Sequence, residues 1–426
     1  MVVGLDFGTA FTKVVLRSPF EFNDRAYAVP FDRHAPDSAR YLVASQITVA
    51  AGGRVELRGS TQPIGGANIK WRLLSDREPE RLEAATEAAA FLACVLREAR
   101  LWFLRNQSSG YGDATLRWAL QIGVPSETYD DEAKEALFSR VGRAAWLLST
   151  TRGPVTLERS AEALDCTDDG LGSGSAPLAD FGVIPEVAAE VVGYARSDLR
   201  RPGLHFLVDA GASTLDVAGF ILHESSEGDD LYPILSASVQ PRGTLALQRL
   251  RCAALAELAA DPMLALPRCF EEWTHSEPAV GARLSDVDEA FLRECHAQIG
   301  DVIRTVRRTR DPNAAAWRDG VPIFLCGGGR AAEFLYAAAI RRLDKGLAKG
   351  VADWPGLRLL RLDRPGDHRL VAPGLPVASY HRLAVAWGLS IPQDDIGRPI
   401  RAADIPDITS GPKLADLPDF VGPDRV

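Results

Sequence analysis

Three short strings in this 426-residue chain bring together the residue types that hold a phosphate: Asp6-Phe7-Gly8-Thr9, Asp209-Ala210-Gly211-Ala212-Ser213-Thr214-Leu215-Asp216, and Ile323-Phe324-Leu325-Cys326-Gly327-Gly328-Gly329-Arg330. The first two share a design, with a carboxylate at a strand end followed by a turn of small residues carrying hydroxyls. Such a turn aims backbone N–H groups and hydroxyls at phosphate oxygens, while the Asp holds Mg²⁺ or its water shell. The third is an apolar strand that runs into glycines ahead of a helix, where backbone can approach a flat ligand or an anion. Taken singly, each string has a plain structural reading. An Asp-Gly turn in a hairpin is most often only a turn, and the glycine string lacks the spacing of a Walker phosphate loop or of a dinucleotide fingerprint. Their order along the chain carries the information.

These turns depend on the elements that flank them. Val2 to Leu16 reads as two apolar strands around the turn Asp6-Phe7-Gly8-Thr9-Ala10, since β-branched residues dominate both sides and Gly8 supplies backbone freedom. Phe206 to Leu222 and Leu231 to Val239 read as a second apolar hairpin with an acidic tip, Glu224 to Asp230, so the pattern returns after about 200 residues. Two hairpins with Asp-x-Gly tips imply an internal duplication of an α/β lobe, the two lobes facing each other across a cleft.

Between the hairpins, Leu82, Ala85, Ala89, Leu92, Leu96, Ala99 and Phe103 recur every three or four positions, which predicts a helix from Pro79 to Asn106. A strand from Leu116 to Val124, stopped by Pro125, leads to a helix from about Asp130 to Leu148 whose acidic start suits the positive end of its dipole. Tyr41 to Thr48 and Arg54 to Arg58 read as short strands joined at Gly52-Gly53, Cys166 to Asp180 as a mobile surface loop, and Glu186 to Arg196 as a helix. Further on, helices over Thr244 to Ala260 and Asp286 to Arg310 precede the strand Val321 to Cys326. A strand near Leu357 to Leu362, a helical Tyr380 to Leu389 and a Pro/Asp-rich tail from Pro392 to Val426 close the chain. The expected division is a first lobe with a small accessory subdomain over residues 1–180, a second lobe with a helical accessory subdomain over 181–391, and a tail over 392–426.

Composition narrows the field without choosing a function. With 46% hydrophobic and 25% charged residues the chain reads as an ordinary soluble globular protein, and its length favours about two lobes over one core. A net charge of −9 argues against a broad surface for nucleic acid, which needs clustered Lys and Arg. The densest basic cluster, Arg304, Arg307, Arg308 and Arg310, reads as a solvated helix flank, with a nucleotide or partner contact as the alternative. None of the six cysteines forms a C-x-x-C pair, so neither a zinc ribbon nor a dithiol redox site is expected. The absence of a long apolar stretch and of a signal-peptide pattern at the N-terminus leads to the expectation of a cytoplasmic protein without membrane contact.

The order of the three strings resembles the superfamily of actin-like, sugar-kinase and DnaK-type ATPases, in which two phosphate loops from duplicated lobes and an adenosine loop enclose Mg-ATP. The matching strings are GLDFGT, DAGASTLD and LCGGGR. Two further segments, IGVPSETYDDEAKEALFSRVGRAAW and PEVAAEVVGYA, look like the strand end and the helix that mark the DnaK-type heat-shock chaperones of seventy kilodaltons. The resemblance covers roughly residues 1–391 and stops before the chaperones' interlobe linker and substrate-binding domain.

The resemblance implies a two-lobed actin-like ATPase fold of duplicated ribonuclease H-like lobes, with ATP or ADP and Mg²⁺ in the interlobe cleft. By the same resemblance Asp6 and Asp209 organise the magnesium and the attacking water, and Glu186 faces that water. Thr9 and Thr214 supply hydroxyls beside the phosphates; Gly8, Ala10, Lys13, Gly211, Ala212 and Ser213 complete the two turns. Gly327, Gly328, Gly329 and Arg330 form the adenosine loop, and Pro125 relays nucleotide state between lobes. Lys70, within NIKWRLL, is similar to the family's catalytic lysine, with Trp71 a rival alignment and a surface lysine the plain alternative. The chain departs from the family pattern at Ala212 and Ser213 in place of glycines, at Ala10 in place of a hydroxyl and at Val187 in place of a proline. The implied activity is that of an ATP-binding, chaperone-like Mg-dependent ATPase whose lobe closure controls an unknown protein partner. The alternatives are a filament-forming ATPase of the plasmid-segregation type and a nucleotide-binding scaffold that does not hydrolyse.

Overall fold

The computed structural model describes residues 1–20, 24–50, 52–57, 69–107, 111, 115–166, 178–224, 230–256, 278–331, 335–366 and 369–405, with backbone alone at 255–256, 278–284 and 330–331. It is an α/β protein built on two mixed sheets. The strands of the N-terminal part are β1 (Val2–Phe7), β2 (Phe11–Arg17), β3 (Ala26–Ala28), β4 (Val43–Ala44), β5 (Thr48–Val49), β6 (Val55–Glu56), β7 (Trp118–Val124) and β8 (Leu178–Pro185). Then come β9 (Gly203–Ala210), β10 (Leu215–Glu224), β11 (Asp230–Gln240), β12 (Val321–Cys326), β13 (Leu357–Leu360), β14 (Leu370–Val371) and β15 (Arg398–Ile400).

The first sheet runs β14-β3-β2-β1-β7-β8, with β4 added on β2; the second runs β13-β12-β9-β10-β11-β15. Within each sheet five strands repeat one arrangement. In the first, β1 is antiparallel to β2, β2 antiparallel to β3, and β7 and β8 continue parallel to β1. In the second, β9 is antiparallel to β10, β10 antiparallel to β11, and β12 and β13 continue parallel to β9. Strands β1 and β12 are buried along their whole lengths, as expected of apolar runs with neighbours on both edges and cover on both faces.

The helices are α1 (Ile69–Leu73), α2 (Glu78–Asn106), α3 (Ser126–Tyr129), α4 (Glu132–Thr150), α5 (Leu157–Cys166), α6 (Glu186–Ala195), α7 (Thr244–Ala256), α8 (Pro278–Thr305), α9 (Ala316–Asp319), α10 (Tyr336–Gly350), α11 (Ala384–Leu389) and α12 (Gln393–Ile396). Helices α2 and α4 cover the outer face of the first sheet around Phe91, Phe103 and Trp146. Helices α8 and α10 cover the outer face of the second around Phe206, Ile299 and Tyr336. Between the sheets lies a third core, in which α6 and α11 bring Val191, Val192 and Trp387 against Val15 of the first sheet and Phe220 and Phe324 of the second. The two inner helices touch closely, because a Cβ at Gly388 would stand 1.7 Å from the Ala189 carbonyl oxygen. Gly4 serves α11 in the same way from β1, its Cβ position lying 2.2 Å from the Ala386 oxygen.

Three expectations change in detail. The stretch read as a loop to Asp180 gives way at Leu178 to β8, while residues 167–177 lie outside the described residues. The tail read from Pro392 is folded at its start: β15 adds parallel to β11, and Arg401 pairs with Glu132 and Glu135 of α4. Residues beyond 405 lie outside the described residues. Finally, β14 joins the edge of the first sheet beside β3 and α11 packs on β1, so these residues, grouped by sequence with the second lobe, lie against the first sheet.

Candidate functional site

Asp6 and Asp209 occupy matched places, near the C-terminal ends of β1 and β9, the two strands at the centre of the repeated arrangement. Each is followed by a turn held from behind. In the first, Ser45 beside β4 donates its hydroxyl to the Gly8 carbonyl at 2.6 Å and its N–H to the Ala10 carbonyl at 2.9 Å. In the second, the start of α7 does the same work: Gly243, Thr244 and Leu245 donate N–H groups to the carbonyls of Ser213, Gly211 and Ala212 at 3.1, 3.1 and 2.7 Å. The carbonyls of Gly8, Ala10, Gly211, Ala212 and Ser213 are thereby engaged. Among the described residues, the N–H groups of Thr9, Ala10, Ala212 and Thr214 make no hydrogen bond within the protein.

Both turns border one cavity of about 110 Å³, together with Gly327 and Gly328 of the third string. Lys70, on the short helix α1, reaches into it with 5% exposure and donates to Glu186 Oε1 at 2.6 Å. Lys13, on β2 one hairpin register across from Asp6, donates to Asp6 Oδ2 at 2.7 Å. Trp71, the rival to Lys70, points elsewhere and lines an outer groove with Ser213, Pro241 and Leu250. Of the residues read from sequence, Asp6, Gly8, Thr9, Ala10, Lys13, Lys70, Glu186, Asp209, Gly211, Ala212, Thr214, Gly327 and Gly328 line the cavity. Ser213 faces the outer groove, Gly329 packs against Ala210, and the Arg330 side chain lies outside the described residues. The Arg304–Arg310 cluster is elsewhere, with Arg307 over the rings of Trp317 and Trp354 and Arg310 bonded to the carbonyls of Ala402 and Ile405.

Carboxylates outnumber their partners here. Asp209 is partly exposed through the cavity, yet its Oδ1 is shut off from solvent and has no hydrogen-bond partner. Burial, reinforced by Glu186 and Asp6 and opposed by Lys13 and Lys70, pushes Asp209 up to about 7. Behind it Asp216, on β10, accepts the Ser126 N–H at 3.3 Å, and burial with the nearby Glu186 and Asp209 raises its pKa well above the carboxylate range. Burial works against charge on Lys70, but Glu186, Asp6 and Asp209 outweigh it and hold the ammonium pKa above its ordinary value. Pro125 caps the start of α3 beside this Ser126–Asp216 bridge between the two sheets.

Glu190 was missed. It stands one turn beyond Glu186 on α6, lines the cavity at 3% exposure, and has no hydrogen-bond partner of ordinary geometry on either oxygen. Two acids four apart on a helix that is otherwise apolar or small, EVAAEVVGYA, were the available signal, since such residues share a face. His381, Arg382 and Val385 also border the cavity and carried no motif.

Compared with known proteins, the chain matches no family model, and no curated protein is significantly similar to it. Among the described residues no helix is long and apolar enough to cross a membrane, and no three His, Cys, Asp or Glu side chains converge as a ready-made metal cluster. The orphaned Asp209 Oδ1 nevertheless suits a hydrated Mg²⁺, which keeps most of its waters and takes one or two carboxylates beside substrate phosphates.

Proposed function

We propose that this chain is an ATP-binding, Mg²⁺-dependent ATPase of the two-lobed actin-like type, closest in design to the nucleotide-binding half of a DnaK-type chaperone. One observation carries the reading: the same five-strand arrangement occurs twice, and each copy delivers an Asp and a turn with free N–H groups to one cavity. A chance Asp-Gly turn has no reason to be mirrored across a shared space.

The geometry supports a role for each residue. The free N–H groups of Thr9, Ala10, Ala212 and Thr214 donate to phosphate oxygens, as preorganised donors that stabilise developing charge. Lys13 and Lys70 add positive charge, and each is already held in place by a carboxylate. Glu186 gives Oε1 to Lys70 and offers Oε2 to a water. Asp209 is raised to about 7 in the metal-free cavity; holding Mg²⁺ it would be ionised and would accept a hydrogen bond from that water, orienting it for attack. Asp6 and Asp209 would hold Mg²⁺, which would supply charge neutralisation at the phosphates. A cavity of about 110 Å³ is smaller than the roughly 300–1,000 Å³ of a typical ligand pocket, so nucleotide enters as the sheets part about the α6–α11 contact. Lobe closure coupled to nucleotide state is the means by which a protein partner is gripped or released.

The test is phosphate release from Mg-ATP with no added acceptor, beside calorimetric titration with ATP and ADP. Asp209→Asn should lower turnover by tenfold or more, a loss of at least about 1.4 kcal/mol in transition-state stabilisation. Unchanged binding and hydrolysis in that variant would remove the assignment; intact binding without phosphate release would leave a nucleotide-binding scaffold.

A further inference from the structure

We infer that the cavity binds a divalent cation through Glu190 and Asp209 before any nucleotide arrives. The inference deepens the reading above and rests on the same cavity, but its argument comes from charge and partners alone. Four carboxylates line the space, those of Asp6, Glu186, Glu190 and Asp209, with Asp216 directly behind them. Facing them are Lys13, Lys70 and, at the border of the cavity, Arg382. Both lysines are committed, Lys13 to Asp6 and Lys70 to Glu186, and Arg382 makes no hydrogen bond to Glu190 or Asp209 among the described residues.

Asp216 Oδ1, behind the cavity, is orphaned too, but among the carboxylates that line the cavity the surplus falls on two side chains. Both oxygens of Glu190 and the Oδ1 of Asp209 are cut off from solvent without a hydrogen-bond partner of ordinary geometry, the nearby Cys326 thiol being only a weak donor to Glu190. A buried unpaired carboxylate is costly and is normally compensated by a partner, a metal or a proton. Glu190 and Asp209 line the same cavity. Their donor set is all oxygen, the choice of hard divalent ions. Because no three such side chains converge among the described residues, the ion would keep water in most of its shell, as Mg²⁺ and Mn²⁺ readily do. A bound ion here would meet an incoming triphosphate already in place.

Mn²⁺ titrated into the nucleotide-free full-length chain, followed by electron paramagnetic resonance, reads this directly. The expected result is one ion bound per chain, displaced by Mg²⁺, with affinity reduced tenfold or more in the near-isosteric Glu190→Gln variant. Divalent ion should also raise the melting temperature of the unmutated protein and leave that of Glu190→Gln unmoved. Absence of Mn²⁺ binding without nucleotide, or binding that Glu190→Gln does not weaken, overturns the inference. The two readings fail separately: ATP binding without prior Mn²⁺ binding keeps the nucleotide site and removes this one. Mn²⁺ binding in a chain that never takes ATP does the reverse.

Discussion

Gly327 and Gly328 are neighbours in the third string with different duties. Gly327 has φ +78°, and a Cβ there would stand 1.9 Å from Asp209 Oδ1 and 2.5 Å from the Ala210 carbonyl oxygen. Gly328 has ordinary backbone, borders the cavity, and a Cβ built on it meets nothing within 4 Å. The positive-φ requirement that sequence could have placed at either glycine therefore belongs to Gly327 alone. Gly327→Ala should destabilise the ligand-free protein by roughly 3 kcal/mol or more, combining backbone strain with overlap against a neighbouring strand. Gly328→Val should leave the ligand-free melt within about 1 kcal/mol of the unmutated protein, because its side chain enters open space. It should weaken ATP and ADP alike, by tenfold or more, while inorganic triphosphate is unaffected. Full ATP affinity in well-folded Gly328→Val would eliminate this loop as the adenosine contact.

At the scale of elements, the molecule turns on the contact between α6 and α11, and that contact depends on Gly388. With its Cβ position 1.7 Å from Ala189 O and 2.6 Å from Ala189 C, even a methyl group must push the two helices apart. Gly388→Ala should lower stability by about 3 kcal/mol, read by denaturant unfolding, and any displaced α11 should carry Val385 away from the cavity it borders. A fully stable Gly388→Ala would show that the helices do not meet as described. This contact was invisible in sequence, since a glycine inside an apolar stretch does not name its neighbour. What was legible shares a physical cause: β1, β12 and α2 have runs or periods of apolar residues long enough to mark a buried element, although Leu82 of the α2 pattern is exposed and residues 88–93 are buried on every side. Strand β8 lacked that signal. Its Asp180 is exposed, and Gly182 is there to pass Gln393, whose Oε1 lies 2.6 Å from the position of an added Cβ. β15 was illegible for a related reason, being a three-residue edge strand whose place is set by pairing to β11 and by the Arg401 ion pairs rather than by apolar content. Asp6 and Asp209 could be found because motif order marked them and Lys70 because NIKWRLL resembled a family string, whereas Glu190 needed the helix face to be drawn.

The whole molecule holds two sheets together across a cavity whose carboxylates repel, and its stability should therefore respond to pH in a definite direction. The sheets are tied by α6 and α11, by Ser126 N–H to Asp216 and by the Val239 N–H to Glu127 Oε2 at 2.6 Å. Asp209 titrates in the folded chain at about 7, against an ordinary 3.8 when unfolded, so between these values the folded state holds a proton that the unfolded state releases. The stability this contributes is fully present below about pH 4 and is lost as pH rises through 7. Glu190 and Asp216, both raised chiefly by burial, act with the same sign. His205 and His296 act against it, because burial lowers their pKa below the ordinary 6.5 and the folded state resists their protonation on the acid side. The comparison that isolates the cavity is thus between the unmutated chain and Asp209→Asn, which share both histidines. Without nucleotide or divalent ion, the unmutated chain should lose stability relative to Asp209→Asn as pH climbs from 5 to 8. The difference should be on the order of 2 kcal/mol once coupling to Glu186 and Asp6 is discounted. At pH 8 Asp209→Asn should be the more stable of the two, the trade expected if the site keeps strained charge for the proposed chemistry. Magnesium added at pH 8 should restore the unmutated chain and do little at pH 5, where a proton already occupies the carboxylate. Parallel pH profiles for the two proteins, in urea unfolding at fixed ionic strength, would show that Asp209 ionises freely in the fold and that the cavity between the sheets does not hold mutually repelling carboxylates.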